Sequence, residues 1–487
     1  MTYHSGVMSI ESPFPFVSVY KMKQHAKVNH HMRLELWGLL DSESAPALMQ
    51  GQFANASLKI TLPDGQDYFT GLPMQIDIQE QNGSFPIYLS CISASFLLDV
   101  YPRSASYQDI NESYIDALYH VYSREDNASI LTSKIADVPV KAPVFQYGET
   151  AWAFTLRIAG KLGTYVIPYH REASPKVILG DVGRAPIELA EPDYTAGQNR
   201  ENGYFHELCS TQQFDLGDAV LHMSRRLLVV EKTSVFKNGD FDNSYVLGTE
   251  AGFAVKPHNL LLSGLRLRGS VLAVSGEQLK LHLDIDKIQD VNKAYWFDFV
   301  SQSGNVMYCM PQVGTKAMLR FCSNLDSSAV AEECWRENGQ DCSALDNYDK
   351  RTFTNEFGER LAMFPEALFL TGADNIVGLS DNFGVRIKTN HRTKISAGES
   401  ITVHAKKNAA INTPQHIYIT KPNTTSVIDL AGTEINIDSK NTGVKTKDTP
   451  KDKPYPINQV TLTATVSRSL AKAALGFAVM RSGKGAK

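Results

Sequence analysis

The chain has 487 residues, long enough for about three domains, and 43% of its residues are hydrophobic, enough for buried cores. Its formal net charge of −4 gives no overall basic signal for binding nucleic acid or an anionic membrane surface. No run of residues has the order of a secretory signal peptide or the length of a membrane span. We therefore expect synthesis in the cytosol without a signal peptide.

Residues 1–105 show the alternation of apolar and polar side chains that is typical of β-strands. Met32, Leu34 and Leu36 share one parity, so they should lie on one face of a strand. The Asn82-Gly83 pair between two apolar runs predicts a tight hairpin. This part of the chain is therefore predicted to be a β-rich unit.

Two helices are predicted further along the chain. An apolar stripe predicts the first over about 107–124. A second stripe begins at Trp152, and Gly163 is well placed to end that helix before a strand through Tyr165 and Ile167. More strand patterns run to about residue 268, so residues 1–268 fit two similar β-rich units with helices across them.

From Gly269 the strands become short and closely spaced, with tight turns between them. This pattern favours a small five-stranded barrel of the OB type, placed at 269–325. Residues 323–350 are polar and acidic, and they are interpreted as a loop or connector.

An eight-residue repeat follows. Starting at Ile387, a step of eight meets only β-branched apolar residues: Ile387, Ile395, Val403, Ile411, Ile419, Val427 and Ile435. A second row, two positions earlier, includes three more: Val385, Ile401 and Ile417. Turn formers occupy most places of another phase, so the unit is a short strand with two inward side chains and then a turn. A fixed period of this kind indicates a winding β structure.

The burial of this row decides how the repeat can fold. One row of seven Ile and Val side chains is worth on the order of 10–20 kcal/mol when it leaves water. An eight-residue ribbon cannot cover the row by itself, but several copies wound around a common axis can. We therefore expect an obligate oligomer, most simply a trimer. The alternative is an ordinary antiparallel meander with accidental spacing.

The last segment, 441–487, consists of a Lys- and Pro-rich linker and a short apolar stretch. Its apolar side chains are candidates for docking a tip protein or effector: Leu470, Leu475, Phe477 and Val479. The same stretch could instead be a helix that caps the repeat, and the sequence leaves the two alternatives open.

No catalytic, metal-binding or cofactor-binding residues are predicted. The carboxylates Glu332, Glu333 and Asp341 lie in a segment too short to form a hydrolase domain, so they are interpreted as solvated charges. The aromatic residues of the barrel are surrounded by Asp, which argues against nucleic acid.

The histidines and cysteines give no metal motif either. Three histidines of the repeat fall outside its apolar phases and should point outward: His391, His404 and His416. Three cysteines lack the spacing of a zinc site: Cys322, Cys334 and Cys342. Three others lie in strand-like surroundings and are expected to be buried thiols: Cys91, Cys209 and Cys309.

One segment resembles the signature of VgrG-like proteins and phage late control protein D. The matching residues are Gln146, Tyr147, Glu149, Trp152, Phe154, Arg157, Leu162 and Gly163. Further segments look like the branch found in contractile injection systems of Gram-positive bacteria: 101–109, 216–220, 282–299, 308–314 and 353–372. The resemblance covers about residues 15–440 in the right order.

This resemblance implies a mainly β fold with some α, in which two hub β-barrel domains with helices precede an OB-fold barrel and an intertwined trimeric β-helix, or β-prism, needle. The domains are then a first hub barrel at 1–135, a second at 136–268, the OB fold at 269–325, a connector at 326–382, the needle at 383–440, and a linker and tip segment at 441–487. The needle departs from the family because only Gly398 and Gly432 lie between Ile387 and Ile435.

The implied function is structural rather than enzymatic: a homotrimeric hub and central spike at the baseplate of a contractile injection system. Its implied partners are the ring of tail tube protein, baseplate proteins, a PAAR-like tip protein or effector at the C-terminus and, transiently, the target membrane. The protein would be made in the bacterial cytoplasm and assembled into a phage-like particle. A cell-wall-degrading spike enzyme and a free trimeric adhesin are the alternatives.

Overall fold

In the computed structural model, contacts divide the chain into two units, Met1–Ser343 and Ala344–Lys487, and each is considered by itself. The structure describes residues 2–4, 6, 8–49, 56–132, 135, 138–181, 183–188, 193–199, 203–210, 212–222, 225–249, 258–301, 308–335, 347–420, 427–431 and 434–438. Within these residues, no helix has the length and apolar character needed to cross a membrane.

The first unit is built on a large, mainly antiparallel sheet. Its N-terminal strands are β1 (Thr2–His4), β2 (Ser9–Glu11), β3 (Phe16–Lys27), β4 (Arg33–Leu40), β5 (Leu58–Thr61), β6 (Asp67–Ile78) and β7 (Phe85–Ser93), with the short helix α1 (Ala45–Leu48) after β4. The predicted parity is confirmed, because Met32, Leu34 and Leu36 are all buried. Asn82 and Gly83 both have positive φ in the β6–β7 hairpin, as a two-residue turn of this type requires.

Residues 94–180 form a separate small layer of helices and strands. After a 3-10 turn at Ala94–Asp99, its elements are β8 (Arg103–Tyr107), α2 (Tyr114–Tyr122), β9 (Ser129–Leu131), β10 (Val144–Glu149), α3 (Ala151–Lys161), β11 (Val166–Pro168) and β12 (Lys176–Leu179). The layer has an apolar core of its own, which includes Leu118, Phe154 and Ile158.

The helix predicted over 107–124 begins later than expected, at Tyr114. Ser113 and Asp116 form a capping box there, in which each side chain satisfies a backbone N–H of the other residue. This local cap fixes the start of the helix and leaves Ile110 outside it, exposed. The second helix agrees with the prediction, and Gly163, with φ of 69°, follows its last turn.

The chain then returns to the large sheet. The strands are β13 (Ile187–Glu188), β14 (Asp193–Asn199), β15 (Gly203–Ser210), β16 (Ala219–His222), β17 (Arg225–Lys237) and β18 (Asp240–Gly248). Strand β17 pairs antiparallel with β3, with Glu231 opposite Lys27 and Lys237 opposite Lys21. The two hub domains predicted at 1–135 and 136–268 therefore share one sheet of thirteen described strands.

The last part of the first unit is a closed barrel of five described strands: β19 (Arg266–Ser275), β20 (Gln278–Leu283), β21 (Trp296–Val300), β22 (Lys316–Phe321) and β23 (Ala329–Trp335). The order around the barrel is β19-β20-β21-β23-β22, and β21 runs parallel to β23. Strand β23 lies in the segment 323–350 that the sequence indicated to be a loop, so that prediction is wrong at Ala329–Trp335. Backbone pairing with β22 makes a strand of this short, mostly apolar stretch inside the polar segment.

In the second unit, five strands form an antiparallel meander: β24 (Arg351–Thr354), β25 (Arg360–Phe364), β26 (Ala367–Gly372), β27 (Asn375–Ser380) and β28 (Gly384–Lys388). Residues 389–415 contain no strand. Three more strands pair antiparallel: β29 (His416–Thr420), β30 (Val427–Ala431) and β31 (Glu434–Asp438). Their pairing matches the antiparallel alternative for the end of the repeat.

Candidate functional site

The signature segment forms a buried ionic joint around Arg157. The guanidinium, only 3% exposed, donates to both oxygens of the Glu149 carboxylate at 2.8 Å each. It also donates to Asp326 at 2.9 Å. Asp326, 4% exposed, accepts from the backbone N–H of Phe145 at 2.9 Å and pairs with Lys161 at 2.8 Å. Arg157 therefore fixes helix α3 to strand β10 and to the barrel segment that carries Asp326.

A second, half-buried carboxylate makes a similar joint. Asp286, in the barrel segment, accepts hydrogen bonds from the backbone N–H and the hydroxyl of Ser106 in β8, at 2.6 and 2.5 Å. Next to it, Gln108 donates to the carbonyl of Leu281 at 3.2 Å and accepts from the N–H of Tyr295 at 3.2 Å. Burial raises the pKa of Asp286. Because both joints connect the β8–β10 sheet to the barrel, the barrel is held at two separate points.

The other signature residues have structural roles in this layer. Gln146 is fully buried and donates to the carbonyl of Glu149 at 3.0 Å. Trp152 packs on the ring of His31, with centroids 4.0 Å apart, and Phe154 is in the apolar core. Tyr147 packs against the barrel core. Leu162 is partly buried against the core of the layer, and Gly163 ends the helix as described above.

Sequence reasoning found Glu149 and Arg157 only through the resemblance, and it missed Asp326 and Asp286. Both aspartates lie in stretches rich in polar and acidic residues, where nothing marks one carboxylate as the partner of a distant segment. Their partners are 169 and 180 residues away in the chain, so only the tertiary structure brings them together.

Of the three carboxylates considered for catalysis, Glu332 is buried instead of solvated. Glu332 is buried in β23, where it accepts from Arg320 at 2.5 Å and pairs with Arg266 at 3.3 Å. The prediction that it is a solvated charge is therefore wrong, because the alternation of β23 turns it toward these two arginines. Glu333 lies 3.7 Å from Arg266, and Asp341 lies outside the described residues.

The cysteine predictions are partly wrong. Cys91 is buried, and burial raises the pKa of its thiol to about 12, but Cys209 and Cys309 are exposed. Cys322 and Cys334 are exposed, and Cys342 lies outside the described residues. The part of the chain that the structure describes contains no group of three or more side chains arranged to hold a metal ion. His391, His404 and His416 are exposed, but so are the apolar residues of the row, so their outward or turn positions stay a prediction.

The second unit presents an apolar sheet face, which we call the apolar face. Register places five of its side chains opposite one another in neighbouring strands: Phe353, Leu361, Leu370, Val377 and Ile387. A second line on the same face consists of Met363, Leu368, Leu379 and Val385. Most of these side chains are exposed, whereas on the opposite face Ala362 is buried and Phe369 packs between Phe364 and Phe383.

The apolar face leads directly into the eight-residue repeat, because Ile387 begins its first row, called the octad row below, and Val385 belongs to its second row. Further along, Ile395 is 73%, Val403 79% and Ile411 58% exposed. Ile401 and Ile419 are also exposed, and Ile417 is partly so. Val427 and Ile435 lie in β30 and β31, but their side chains are outside the described part. One chain therefore leaves its own apolar row uncovered.

The tip candidates Leu470, Leu475, Phe477 and Val479 lie outside the described residues. No family model and no curated protein matches the sequence. Solved structures, however, match the fold. The Escherichia coli c3393 protein, a component of the type VI secretion system, aligns with 68% of this chain and 100% of its own, with a TM-score of 0.50 and 11% identity.

The fold is VgrG-like. In the lidded form of the Francisella PdpA-VgrG complex, the matching chain has a TM-score of 0.51 and 9% identity, and the match covers 79% of this chain and 80% of that one. The lidless form gives a TM-score of 0.50 over 79% and 98% of the two chains. The c3393 protein is itself described as similar to the T4 tail proteins gp27 and gp5. The predicted resemblance is thus confirmed for the VgrG-like fold.

Proposed function

We propose that the protein is the homotrimeric hub and central spike at the baseplate of a contractile injection system, connecting the tail tube to a needle that punctures a membrane. The observation that carries the proposal is the apolar face and its continuation in the octad row, uncovered in one chain. Exposed apolar areas of this extent and order indicate a protein interface. The VgrG-like fold supports the same role.

The occupant of the apolar face is then the same face of two other copies. A β-branched residue at every eighth position suits a closed ring of identical strands, since each copy supplies one side of the same dry axis. The absence of strand pairing over the described residues 389–415 fits this interpretation, because an extended ribbon needs a neighbouring backbone to form a ladder. The octad segment is accordingly proposed as an intertwined β-prism.

The remaining parts of the proposal concern the first unit. The strand order of the closed barrel, with β21 parallel to β23, supports an OB fold. The large shared sheet is proposed to carry the two hub barrels that meet the ring of tail tube protein and the baseplate proteins. The C-terminal segment 441–487 is proposed to bind a tip protein or effector, and the particle is proposed to assemble from protein made in the cytoplasm.

Light scattering on the full chain tests the proposal. We expect a particle of three times 53.9 kDa. Ile411→Asp should abolish it or lower its thermal midpoint sharply, since three carboxylates would meet near one axis with no partners. Asn412→Asp, which adds the same charge at the neighbouring position of opposite orientation, is the matched control and should leave the trimer intact. A monomeric wild-type chain, or a trimer indifferent to Ile411→Asp, would contradict the needle.

A further inference from the structure

The octad segment differs in charge from the sheet segment that precedes it. Residues 384–420 contain six Lys and Arg side chains and one Glu, a net charge of +5, whereas the whole chain has −4. The preceding sheet segment, 351–383, has two Arg side chains and five acidic ones, a net charge of −3. Positive charge is therefore concentrated on the octads and on residues 441–487, which contain nine Lys and Arg side chains and two Asp, a net charge of +7.

These cations are available for binding. All six are exposed: Arg386, Lys388, Arg392, Lys394, Lys406 and Lys407. Within the described residues, none of them forms an ion pair, although ion pairs are common in the first unit. Exposed cations without carboxylate partners keep their full field toward solvent, and that field attracts anions.

The cations also lie in a regular relation to the apolar row. Arg386 and Lys394 each precede a row residue, Ile387 and Ile395, by one position, and successive side chains of an extended strand point to opposite faces. When the row faces the axis, these cations face outward. The segment thus combines an apolar inner side with a basic outer side.

We propose that the outer side of the octad shaft binds the phosphate groups of anionic phospholipids in the target membrane. The inference rests on the proposed function, because three-fold repetition is what places the cations on every side of the shaft. A cation set distributed around a rod fits a layer of headgroups that surrounds it as it passes through. A single linear polyanion would lie along one side and meet only a part of the set.

Vesicle flotation with the full chain tests this inference. Vesicles of phosphatidylcholine are compared with vesicles of an equal mixture of phosphatidylcholine and phosphatidylglycerol. We expect binding only to the mixed vesicles, and loss of binding at high salt, where the screening length falls to about 3 Å. The triple variant Lys394→Glu, Lys406→Glu, Lys407→Glu should bind at least about 100-fold more weakly, since each cation near an anionic surface strengthens binding severalfold.

The matched control reverses three exposed lysines of the first unit, Lys23→Glu, Lys141→Glu and Lys237→Glu, which changes the net charge equally. It should bind within about threefold of the wild type, because these cations lie off the shaft. Light scattering on the same samples reports the trimer. If the wild type is a trimer but does not bind the mixed vesicles, or binds both kinds equally, the lipid inference is wrong. The proposed spike function is not contradicted by that result.

Two further outcomes decide against the inference. If purified poly(glycerol phosphate) binds the trimer more tightly per phosphate than the mixed vesicles do, the shaft recognises a wall polymer instead of lipid. If the wild type is a monomer, the proposed spike fails and this inference fails with it.

Discussion

The barrel of the first unit and the meander of the second are both five-stranded, and both alternate apolar with polar side chains. Only the barrel closes on itself. In the barrel, β19 pairs with both β20 and β22, so Leu279, Leu281 and Leu283 point into a closed interior and are fully buried. In the meander, β24 and β28 are free edges, and Leu370 and Leu379 on the apolar face stay half-exposed. Alternation therefore places the apolar side chains on one face of a sheet, while closure of the sheet decides whether the same chain or another copy covers that face.

The first unit should therefore be stable through contacts within one chain, and the second through assembly. All four tryptophans lie in the first unit, so tryptophan fluorescence follows its unfolding separately. In the proposed trimer, Ile411→Asp should leave this signal unchanged. Substitutions within the first unit should have the opposite effect: they should lower the stability of that unit and leave the proposed trimer of the second unit intact.

The largest effect is expected for Arg157→Ala. Removing the guanidinium leaves the carboxylates of Glu149 and Asp326 buried without their main partner, which should cost about 3–5 kcal/mol in the free energy of unfolding. Chemical denaturation followed by tryptophan fluorescence measures it. The control is Arg103→Ala, which breaks a more exposed pair with Glu125 and should cost less than about 1 kcal/mol. Equal losses in the two variants would show that the joint does not stabilise the unit.

A pH effect is expected from His170. Burial lowers the pKa of its imidazole to about 4, so the unfolded chain takes up a proton near pH 6.5 while the folded chain does not. The free energy of unfolding should fall as the pH is lowered from 6.5 through 4, by about 3 kcal/mol in total. His170→Gln should remove this part of the pH dependence, and His258→Gln, at an exposed histidine, should keep it. An unchanged profile in His170→Gln would place the titration elsewhere.

The smallest effect is expected at the pairing of β17 with β3. A hydrogen bond with His25 and the charge of Lys27 lower the pKa of Glu231 to about 2. Its stabilising contribution is therefore present above pH 4.5 and lost as the pH falls toward 2. Because the pair is partly exposed, Glu231→Gln should cost only about 1 kcal/mol at pH 7 and nothing at pH 2. A cost that persists at pH 2 would indicate packing, not charge.

Several elements could be predicted from local sequence. The β6–β7 hairpin follows from Asn82-Gly83, and the end of α3 follows from Gly163, because both turns depend on residues that tolerate positive φ. The start of α2 was missed, although Ser113 and Asp116 carry a recognisable capping pattern. Strand β23 was missed because it is a short, mostly apolar stretch inside a polar and acidic segment, and its pairing with β22 is not visible in the sequence.

The sequence alone gives the period of the octad row, the alternation of the sheets and the basic character of residues 384–420. Each is a property of neighbours along the chain. Only the tertiary structure shows that Asp326 and Asp286 bind residues of the signature layer, that β3 pairs with β17 in the large sheet, and that the barrel closes while the meander stays open. Such features depend on residues far apart in the chain, where the energy of contact comes from burial and pairing that no local pattern encodes.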